Sequence, residues 1–155
     1  MFEKILVPLD GSEHSLRALQ IAVQIAKRFN GKITLIHAYS VGVRPIVMAE
    51  PATLSPQTIP IMAPEDFSKV VEATRKMGTT ILADGEGKVK AEGVPVETLL
   101  KEGHSVQEIL RTARDGNFDL IVMGARGISK IREVFLGSVS DGIIRNAPCP
   151  VLVTK

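Results

Sequence analysis

Residues 119–140 indicate the fold more strongly than any other part of the chain. They read Asp-Leu-Ile-Val-Met-Gly-Ala-Arg-Gly-Ile-Ser-Lys-Ile-Arg-Glu-Val-Phe-Leu-Gly-Ser-Val-Ser. The first six residues are predicted to form a strand, because a short apolar run is typical of a strand buried on both faces. A glycine-spaced segment follows, and Gly137-Ser138 leads into a helix predicted over 138–146. A buried strand, a loop and a helix in this order form the unit of parallel α/β sheets.

The same alternation runs through the rest of the chain. Apolar runs predict strands, and apolar residues recurring every three or four positions predict helices. The further strands are predicted at Lys4–Leu9, Lys32–Ala38, Val96–Lys101 and Pro150–Thr154, and the further helices at 13–29, 64 to about 90, and 105 to about 115. Ser12 is expected to cap the first helix, and Ser105 with Glu108 has the spacing of a capping box. The pattern predicts one α/β domain over 1–155, with a parallel sheet and helices on both faces.

An unusual stretch separates the strand at 32–38 from the second predicted helix. Residues 41–64 hold five of the nine prolines and almost no charge. Proline lacks an N–H and fixes φ, so a long loop is predicted there, with apolar residues that pack on the domain or on a partner. In the helix that follows, three glycines are expected to weaken the structure: Gly78, Gly85 and Gly87. Its apolar stripe is predicted to be Phe67, Val70, Val71, Thr74, Met77, Ile81 and Leu82.

Composition excludes several classes of protein. The 155 residues are 45% hydrophobic and 23% charged, with a net charge of +2, which is ordinary for a globular domain. No concentrated basic run suggests nucleic-acid binding, and no apolar stretch approaches the roughly 20 residues of a membrane span. The N-terminal residues lack the features of a signal peptide, so we expect a cytoplasmic protein. The single cysteine, Cys149, cannot form an internal disulfide and is expected to be a buried, unreactive thiol.

Ligands of parallel α/β sheets bind beyond the carboxyl ends of the strands. The segments to consider are therefore Pro8–Ser12, Ala38–Val41, Glu102–Ser105 and Gly124–Ser140. In the last of them, glycines let the backbone approach an anion, and a helix start offers free N–H groups and a favourable dipole. The residues that fit this chemistry are Gly124, Gly127, Gly137, Ser138 and Ser140, with Arg126 and Lys130 adding positive charge. The alternative is a glycine-rich turn before a serine-capped helix.

Three blocks of the chain together resemble a known family. The spacing Gly124-x2-Gly127-x9-Gly137-Ser138 is similar to the G-2X-G-9X-G-(S/T) nucleotide motif of the universal stress protein family. The opening block at 4–12 and the closing block at 146–153 also resemble that family. The resemblance covers nearly the whole chain. It implies an open, Rossmann-like five-stranded parallel sheet in the order 3-2-1-4-5, in the branch of the family that binds ATP.

Carried over by position, the resemblance implies a role for each residue of the motif. It places the adenine near Pro8, Leu9, Ala38 and Met123, the ribose and phosphates near Gly124 and Gly127, and the phosphates on Gly137, Ser138, Val139 and Ser140. Asp10 would lie near the ribose and a phosphate-bound Mg²⁺. From the residues alone, Asp10 has a second reading as a negative charge that favours the start of the first helix.

The last strand adds an expectation about assembly. In the order 3-2-1-4-5 the strand at 150–154 lies at the edge of the sheet, and an apolar edge must be covered or paired. Pairing with a second copy across a two-fold axis would give a homodimer, which the resemblance also implies.

The three histidines give weaker indications of function. They lack the spacing of a zinc site. His37 is expected to be hydrogen-bonded inside its strand, His14 to face solvent on the first helix, and His104 to lie at a strand end near the cleft.

Three functions remain open at this point. The first is an ATP-binding regulatory protein without catalytic residues, which is favoured because no general base is evident. The second is a slow ATPase or phosphotransferase, in which Asp10, Glu133 or His104 would orient water. The third is an interaction module whose glycine segment is only a turn. The absence of Gly-x4-Gly-Lys-Ser/Thr and of Gly-x-Ser-x-Gly excludes a P-loop ATPase and argues against an α/β-hydrolase.

Overall fold

The computed structural model describes residues 1–41, 44–45, 61–127 and 136–155, with the backbone alone at 44–45 and 61–62. The elements in chain order are β1 (Lys4–Pro8), α1 (Glu13–Phe29), β2 (Lys32–Tyr39), β3 (Arg44–Pro45), β4 (Ile61–Met62), α2 (Pro64–Ala91), β5 (Val96–Glu102), α3 (Ser105–Asp115), β6 (Leu120–Gly124), α4 (Ser138–Asn146) and β7 (Val151–Thr154). None of the helices in these ranges is long and apolar enough to span a membrane.

Five strands form one parallel sheet in the order β5-β2-β1-β6-β7. Counted among these five strands alone, the order is 3-2-1-4-5, so the predicted topology is confirmed. The chain leaves β1 toward β2 and β5, and then returns to the other side of β1 for β6 and β7. The order therefore reverses between β1 and β6, and ligands of open α/β sheets bind outside the carboxyl ends of the strands at such a point.

The sheet separates two apolar layers. Alternate residues of β1 divide between them, with Ile5 and Val7 in one layer and Leu6 in the other. The first layer packs on α1 and α2, where Leu19 is part of the buried cluster. The second layer packs on α3 and α4, where Ile143 has no exposed surface. Helices thus cover both faces, as the alternation of elements predicts.

The helix starts confirm one capping prediction and overturn the other. The Ser12 hydroxyl accepts a hydrogen bond from the Ser15 N–H at 3.2 Å, as expected of an N-cap. The capping box at Ser105 is wrong, because α3 already begins at that residue and His104 takes the cap position without a capping side-chain hydrogen bond. The Ser105 hydroxyl instead donates to the Ala38 carbonyl of β2 at 3.3 Å.

The proline-rich stretch 41–64 departs from the predicted loop at four of its residues. Arg44–Pro45 and Ile61–Met62 pair in parallel as a two-stranded sheet. Two residues need few ladder hydrogen bonds, so a proline without an N–H is tolerated at such a short edge. The prediction at 42–43 and 46–60 lies outside the described residues. Helix α2 begins at Pro64, where proline suits the first helical position, as predicted.

The glycines of α2 have a packing role that the sequence interpretation missed. The buried residues of this helix are Gly78, Leu82, Gly85 and Val89, which share one helical face. A Cβ atom on Gly78 would lie 2.6 Å from His37 Cδ2, so the glycine allows the helix to approach β2 closely. Met77, predicted to belong to the apolar stripe, is 64% exposed because Gly78 occupies the contact position beside it.

We expect opposite effects on stability from alanine at two glycines of α2. Gly78→Ala should destabilise the protein by about 1–3 kcal/mol, because its Cβ would collide with the His37 ring, which a 2.7 Å contact with the Leu9 carbonyl holds in place. Gly87→Ala should stabilise it by about 0.5–1 kcal/mol, since among the described residues nothing beyond the adjacent backbone of α2 lies within 4 Å of that Cβ. Urea denaturation of the two variants measures both effects. Equal effects of the two changes would contradict the close approach at Gly78.

Candidate functional site

A cavity of about 370 Å³ opens at the carboxyl ends of β1, β2 and β6. It lies at the side of the sheet where the strand order reverses, and its size falls within the range of small-ligand pockets. All twelve residues predicted to form the site line it: Pro8, Leu9, Asp10, Ala38, Met123, Gly124, Arg126, Gly127, Gly137, Ser138, Val139 and Ser140. Among the described residues, five more line it: Ser15, Ile36, His37, Ser105 and Ile109.

Three helices point their N-termini at this cavity. The first turns of α1, α3 and α4 contribute Ser15, Ser105 and Ser138 to its lining. Ser12 caps α1, whereas no side chain among the described residues caps α3 or α4. Unbonded N–H groups and the positive ends of the helix dipoles favour a negative charge. The cavity is therefore suited to an anionic ligand.

Asp10 is held in a fixed position at the β1–α1 turn. Its Oδ1 accepts the Ser12 N–H at 2.9 Å. Its Oδ2 lies against Gly127, where an added Cβ atom would be 2.5 Å from this oxygen. One carboxylate oxygen thus supports the turn, as the structural reading of Asp10 requires, and the other lies at the cavity wall formed by the glycine segment.

The three glycines of the motif differ in what surrounds them. A Cβ atom on Gly124 would lie 2.7 Å from His14 Cβ and 2.8 Å from the His14 backbone carbon, so the packing of α1 on β6 requires this glycine. Gly137 is different, since the nearest atom to its Cβ would be the Ala125 carbonyl oxygen at 3.5 Å. Its φ of −73° is also accessible to any residue. Neither the backbone conformation nor the described neighbours require glycine at 137. Because glycine has no side chain, this position leaves open space beside the start of α4.

The backbone of Ala125 joins the parts of the anion-binding segment. Its carbonyl accepts the Gly137 N–H and the Ser140 hydroxyl, both at 2.8 Å. Its N–H donates to the Thr154 carbonyl of β7 at 2.7 Å. Ser140 is buried, and its hydroxyl also lies 2.9 Å from the Gly137 carbonyl, so its single hydrogen is used inside the protein. Ser138 is exposed and has no side-chain hydrogen bond within the described ranges, so its hydroxyl is free to donate.

The histidines and the remaining candidates are placed as follows. His37 Nδ1 lies 2.7 Å from the Leu9 carbonyl, which confirms the expected hydrogen bond. His14 was expected to face solvent, but it is half-buried against Gly124, and its Nδ1 has no partner in the described part of the chain. His104 is exposed and does not line the cavity. Lys130 and Glu133 lie outside the described residues.

Three of the residues that line the cavity were not predicted by the sequence analysis, and different sequence patterns point to them. Ser105 ends one of the strand-end segments, yet the capping-box pattern assigned its hydroxyl to its own helix. Ile36 lies two residues before Ala38, so the two side chains share a face of β2. Ile109 lies four residues after Ser105, one helical turn further along α3. The periodicities of strand and helix could have found both isoleucines.

Cys149 lies away from the cavity and is half-buried. Burial raises the pKa of its thiol, and the negative charge of Asp119 raises this pKa further. Both effects favour the neutral thiol over the nucleophilic thiolate, in agreement with the expected unreactive cysteine.

Comparison with known proteins identifies the family. A model of the Universal stress protein family matches residues 1–155. Universal stress protein YxiE of Bacillus subtilis is 36% identical over the full length of both chains. Among solved structures, the universal stress protein UspA from Lactobacillus plantarum superposes with a TM-score of 0.78 at 24% identity, covering 99% of this chain and 98% of that one. A universal stress protein in complex with cAMP gives a TM-score of 0.69 at 26% identity, covering 99% and 97%. The chain therefore belongs to the Universal stress protein family.

Proposed function

We propose that this protein binds ATP, or another adenine nucleotide, in the cavity at the carboxyl ends of β1, β2 and β6, and acts as a nucleotide-dependent regulatory protein of the stress response. The observation that carries the proposal is the meeting of three helix N-termini at one cavity, two of them without a side-chain cap in the described residues. An anion is the ligand that such an arrangement favours. The relative solved with cAMP supports an adenine nucleotide in particular.

The two ends of the cavity suit the two ends of a nucleotide. Pro8, Ile36, Met123 and Ile109 supply an apolar lining on which a base can pack. Leu9 also lines the cavity, but its side chain packs beside Gly85 in the layer under α1 and α2. At the other end, Gly137 leaves space beside the first turn of α4, and Ser138 offers a free hydroxyl. We place the adenine at the apolar end, near Ala38, and the phosphates at the start of α4, with Arg126 nearby to add positive charge.

We expect Mg²⁺ to bind together with the phosphates of the nucleotide. Within the described residues, no group of three or more His, Cys, Asp or Glu side chains could hold a metal ion. Magnesium commonly takes one or two carboxylates together with phosphate oxygens and waters, and Asp10 offers one such carboxylate at the cavity wall. In this proposal Asp10 contacts the ribose or the water shell of the ion, while the phosphates supply the remaining oxygens.

The contacts that Asp10 and His37 make within the protein favour a binding role over catalysis. Asp10 and His37 both line the cavity, but Asp10 Oδ1 already accepts the Ser12 N–H, and His37 Nδ1 already contacts the Leu9 carbonyl. Both contacts hold the end of β1 and the β1–α1 turn, so both side chains have a structural role, and Oδ2 is the carboxylate oxygen of Asp10 that is left to contact a ligand or its water shell. A slow ATPase or phosphotransferase at the same site is the alternative, and nucleotide turnover distinguishes it.

Two further parts of the proposal concern assembly and location. β7 occupies one edge of the sheet, so its outer side is available to pair with β7 of a second copy and form a homodimer through 150–154. A cytoplasmic site of action stays a prediction.

The test begins with the purified protein. Mass analysis of the supernatant after denaturation reports any co-purified nucleotide, and calorimetric titration with ATP and Mg²⁺ reports binding. We expect saturable binding of one nucleotide per chain, weakened by the omission of Mg²⁺, and intact ATP after long incubation. Absence of binding for both ATP and AMP would overturn the proposal. Release of many phosphates per chain would instead establish the ATPase alternative.

A further inference from the structure

A second cavity, of about 490 Å³, lies between α3 and the edge of the sheet formed by β2 and β5. Thr34 of β2 is in register with Glu97 of β5, and Leu99 and Lys101 follow Glu97 on the same face of β5. Arg111 lines the cavity from α3. Among the described residues, none lines both this cavity and the one at the carboxyl ends of β1, β2 and β6. The second cavity is therefore a separate place of small-ligand size.

The Thr34 hydroxyl is an unpaired polar group at this cavity. Thr34 is only 1% exposed, and its Oγ1 has no hydrogen-bond partner in the described part of the chain. A buried hydroxyl without a partner destabilises a protein, and nearly all such groups in folded proteins are bonded to protein, water or ligand. Since Thr34 lines the second cavity, the missing partner is expected to enter from there.

The charged side chains that line the second cavity have a positive balance. Within the described ranges, four are basic and two are acidic: Lys4, Lys32, Lys101 and Arg111 against Glu97 and Asp115. Lys32 pairs with Glu97 at 3.3 Å, whereas the Lys101 ammonium has no partner in those ranges. Arg111 pairs with Glu108 at 2.6 Å, but a guanidinium has further N–H groups to donate. The cavity thus offers more donors and positive charge than its own acids use.

The positive charge is concentrated toward one end. At the other end α3 finishes, and its last carbonyls carry partial negative charge. Lys4 is held at that end, where it donates to the Gly116 carbonyl at 2.5 Å and lies 5.9 Å from the centre of the Phe118 ring. Lys101 lies four positions beyond Glu97 along β5, away from that end. An anionic group is therefore favoured near Lys101.

We propose that the second cavity binds a small organic anion. Its carboxylate or phosphate group pairs with Lys101 and Arg111, its carbon chain packs on Leu99, and an acceptor oxygen receives the Thr34 hydroxyl hydrogen. The site does not rest on the proposed nucleotide function, because it has its own lining residues.

The first test is an NMR titration that follows backbone amide shifts. Glutarate has a carboxylate at each end of a short aliphatic chain, and glutaramide is its uncharged analogue. We expect glutarate to shift the amides of Thr34 and Leu99 in a saturable way, with at least about tenfold weaker binding of glutaramide. Glycerol 3-phosphate provides the phosphate alternative, and the tighter of the two anions identifies the preferred group.

Thr34→Val separates a ligand-binding hydroxyl from a structural one. Valine keeps the shape and removes the unpaired hydroxyl, so Tm without ligand should rise by about 2–4 °C. Binding of glutarate should weaken about tenfold in the same variant. A fall in Tm would show that the hydroxyl has a partner inside the protein, and this would overturn the inference.

Lys101→Met and Lys88→Met form a matched pair of charge removals. Lys101 lines the second cavity, whereas Lys88 is an exposed residue of α2, which packs on the opposite face of the sheet. Lys101→Met should weaken glutarate binding about fivefold, and Lys88→Met should leave it unchanged. Equal effects of the two variants would indicate general attraction by net charge and would overturn the site.

The remaining outcomes are equally decisive. If neither glutarate nor glycerol 3-phosphate shifts Thr34 and Leu99, or if the shifts occur only at Gly137 and Ser138 of the first cavity, the inference is overturned. Equal binding of glutarate and glutaramide would overturn the anionic character of the ligand. Because no adenine nucleotide is used, none of these results decides the proposed nucleotide function, which the ATP titration tests by itself.

Discussion

Gly137→Val is expected to abolish nucleotide binding, with a loss of affinity of at least about 100-fold, while the protein stays folded. Gly137 lines the cavity at the start of α4, and a valine there brings three carbons beside the N–H groups that would hold the phosphates. The fold should tolerate the change, because the nearest atom to the new Cβ among the described residues is 3.5 Å away and the backbone has an ordinary φ. We expect a cost of about 1 kcal/mol for valine at an N-cap position.

Calorimetric titration with ATP and Mg²⁺ measures the loss, and thermal unfolding checks the fold. Gly87→Val is the control, since Gly87 is an exposed glycine of α2 whose Cβ position has no described neighbour within 4 Å outside the adjacent backbone of the helix. A folded Gly137→Val protein that binds ATP as well as the parent would show that the phosphates do not lie at the start of α4. Gly127 is a less suitable test position, because its Cβ would already lie 2.5 Å from Asp10 Oδ2.

Gly124→Ala should have the opposite profile, with a large loss of stability in the absence of any nucleotide. Its Cβ would lie 2.8 Å from the backbone carbon of His14 and 3.0 Å from the His14 oxygen, so α1 itself would have to move. A helix backbone cannot relieve such a contact by changing a rotamer. We expect a cost of about 3 kcal/mol, at the upper end of ordinary overpacking. Thermal unfolding should show a fall in Tm of roughly 6–12 °C for a chain of this length.

Variants of Gly124 and Gly137 distinguish a glycine needed for packing from a glycine needed for binding within one motif. Gly137→Ala, measured beside Gly124→Ala without nucleotide, should stay within about 1 kcal/mol of the parent, because its Cβ contacts are of ordinary length. Equal stability of Gly124→Ala and the parent would contradict the close approach of α1 to β6.

The sheet and the position of the cavity could be predicted from the sequence because their signals are local. The apolar run at 120–123 and the alternation of strands and helices require no knowledge of distant contacts. The rule that ligands bind at the carboxyl ends of strands then predicts that Asp10, Ala38 and Gly124 lie close together.

The errors arose where two elements distant in sequence meet. The Ser105 hydroxyl bonds to Ala38 of β2, while its spacing to Glu108 fits a capping box, and one residue of offset in the helix start decides between these roles. His14 is half-buried because Gly124, 110 positions later in the numbering, lets α1 lie against β6. Gly78 lowers the helix propensity locally, yet it allows α2 to pack closely on His37. Local patterns do not contain such tertiary contacts.

The hydrogen bonds of the Ala125 peptide have a consequence for local opening. The Ala125 N–H donates to the Thr154 carbonyl of the last strand, and the Ala125 carbonyl accepts the Gly137 N–H at the start of α4. Fraying of β7 from β6 would therefore release an anchor of the cavity wall as well, so the two regions belong to one cooperative unit of local unfolding. A ligand that orders the start of α4 would slow solvent exchange of the Ala125 amide, whose acceptor belongs to the far edge of the sheet.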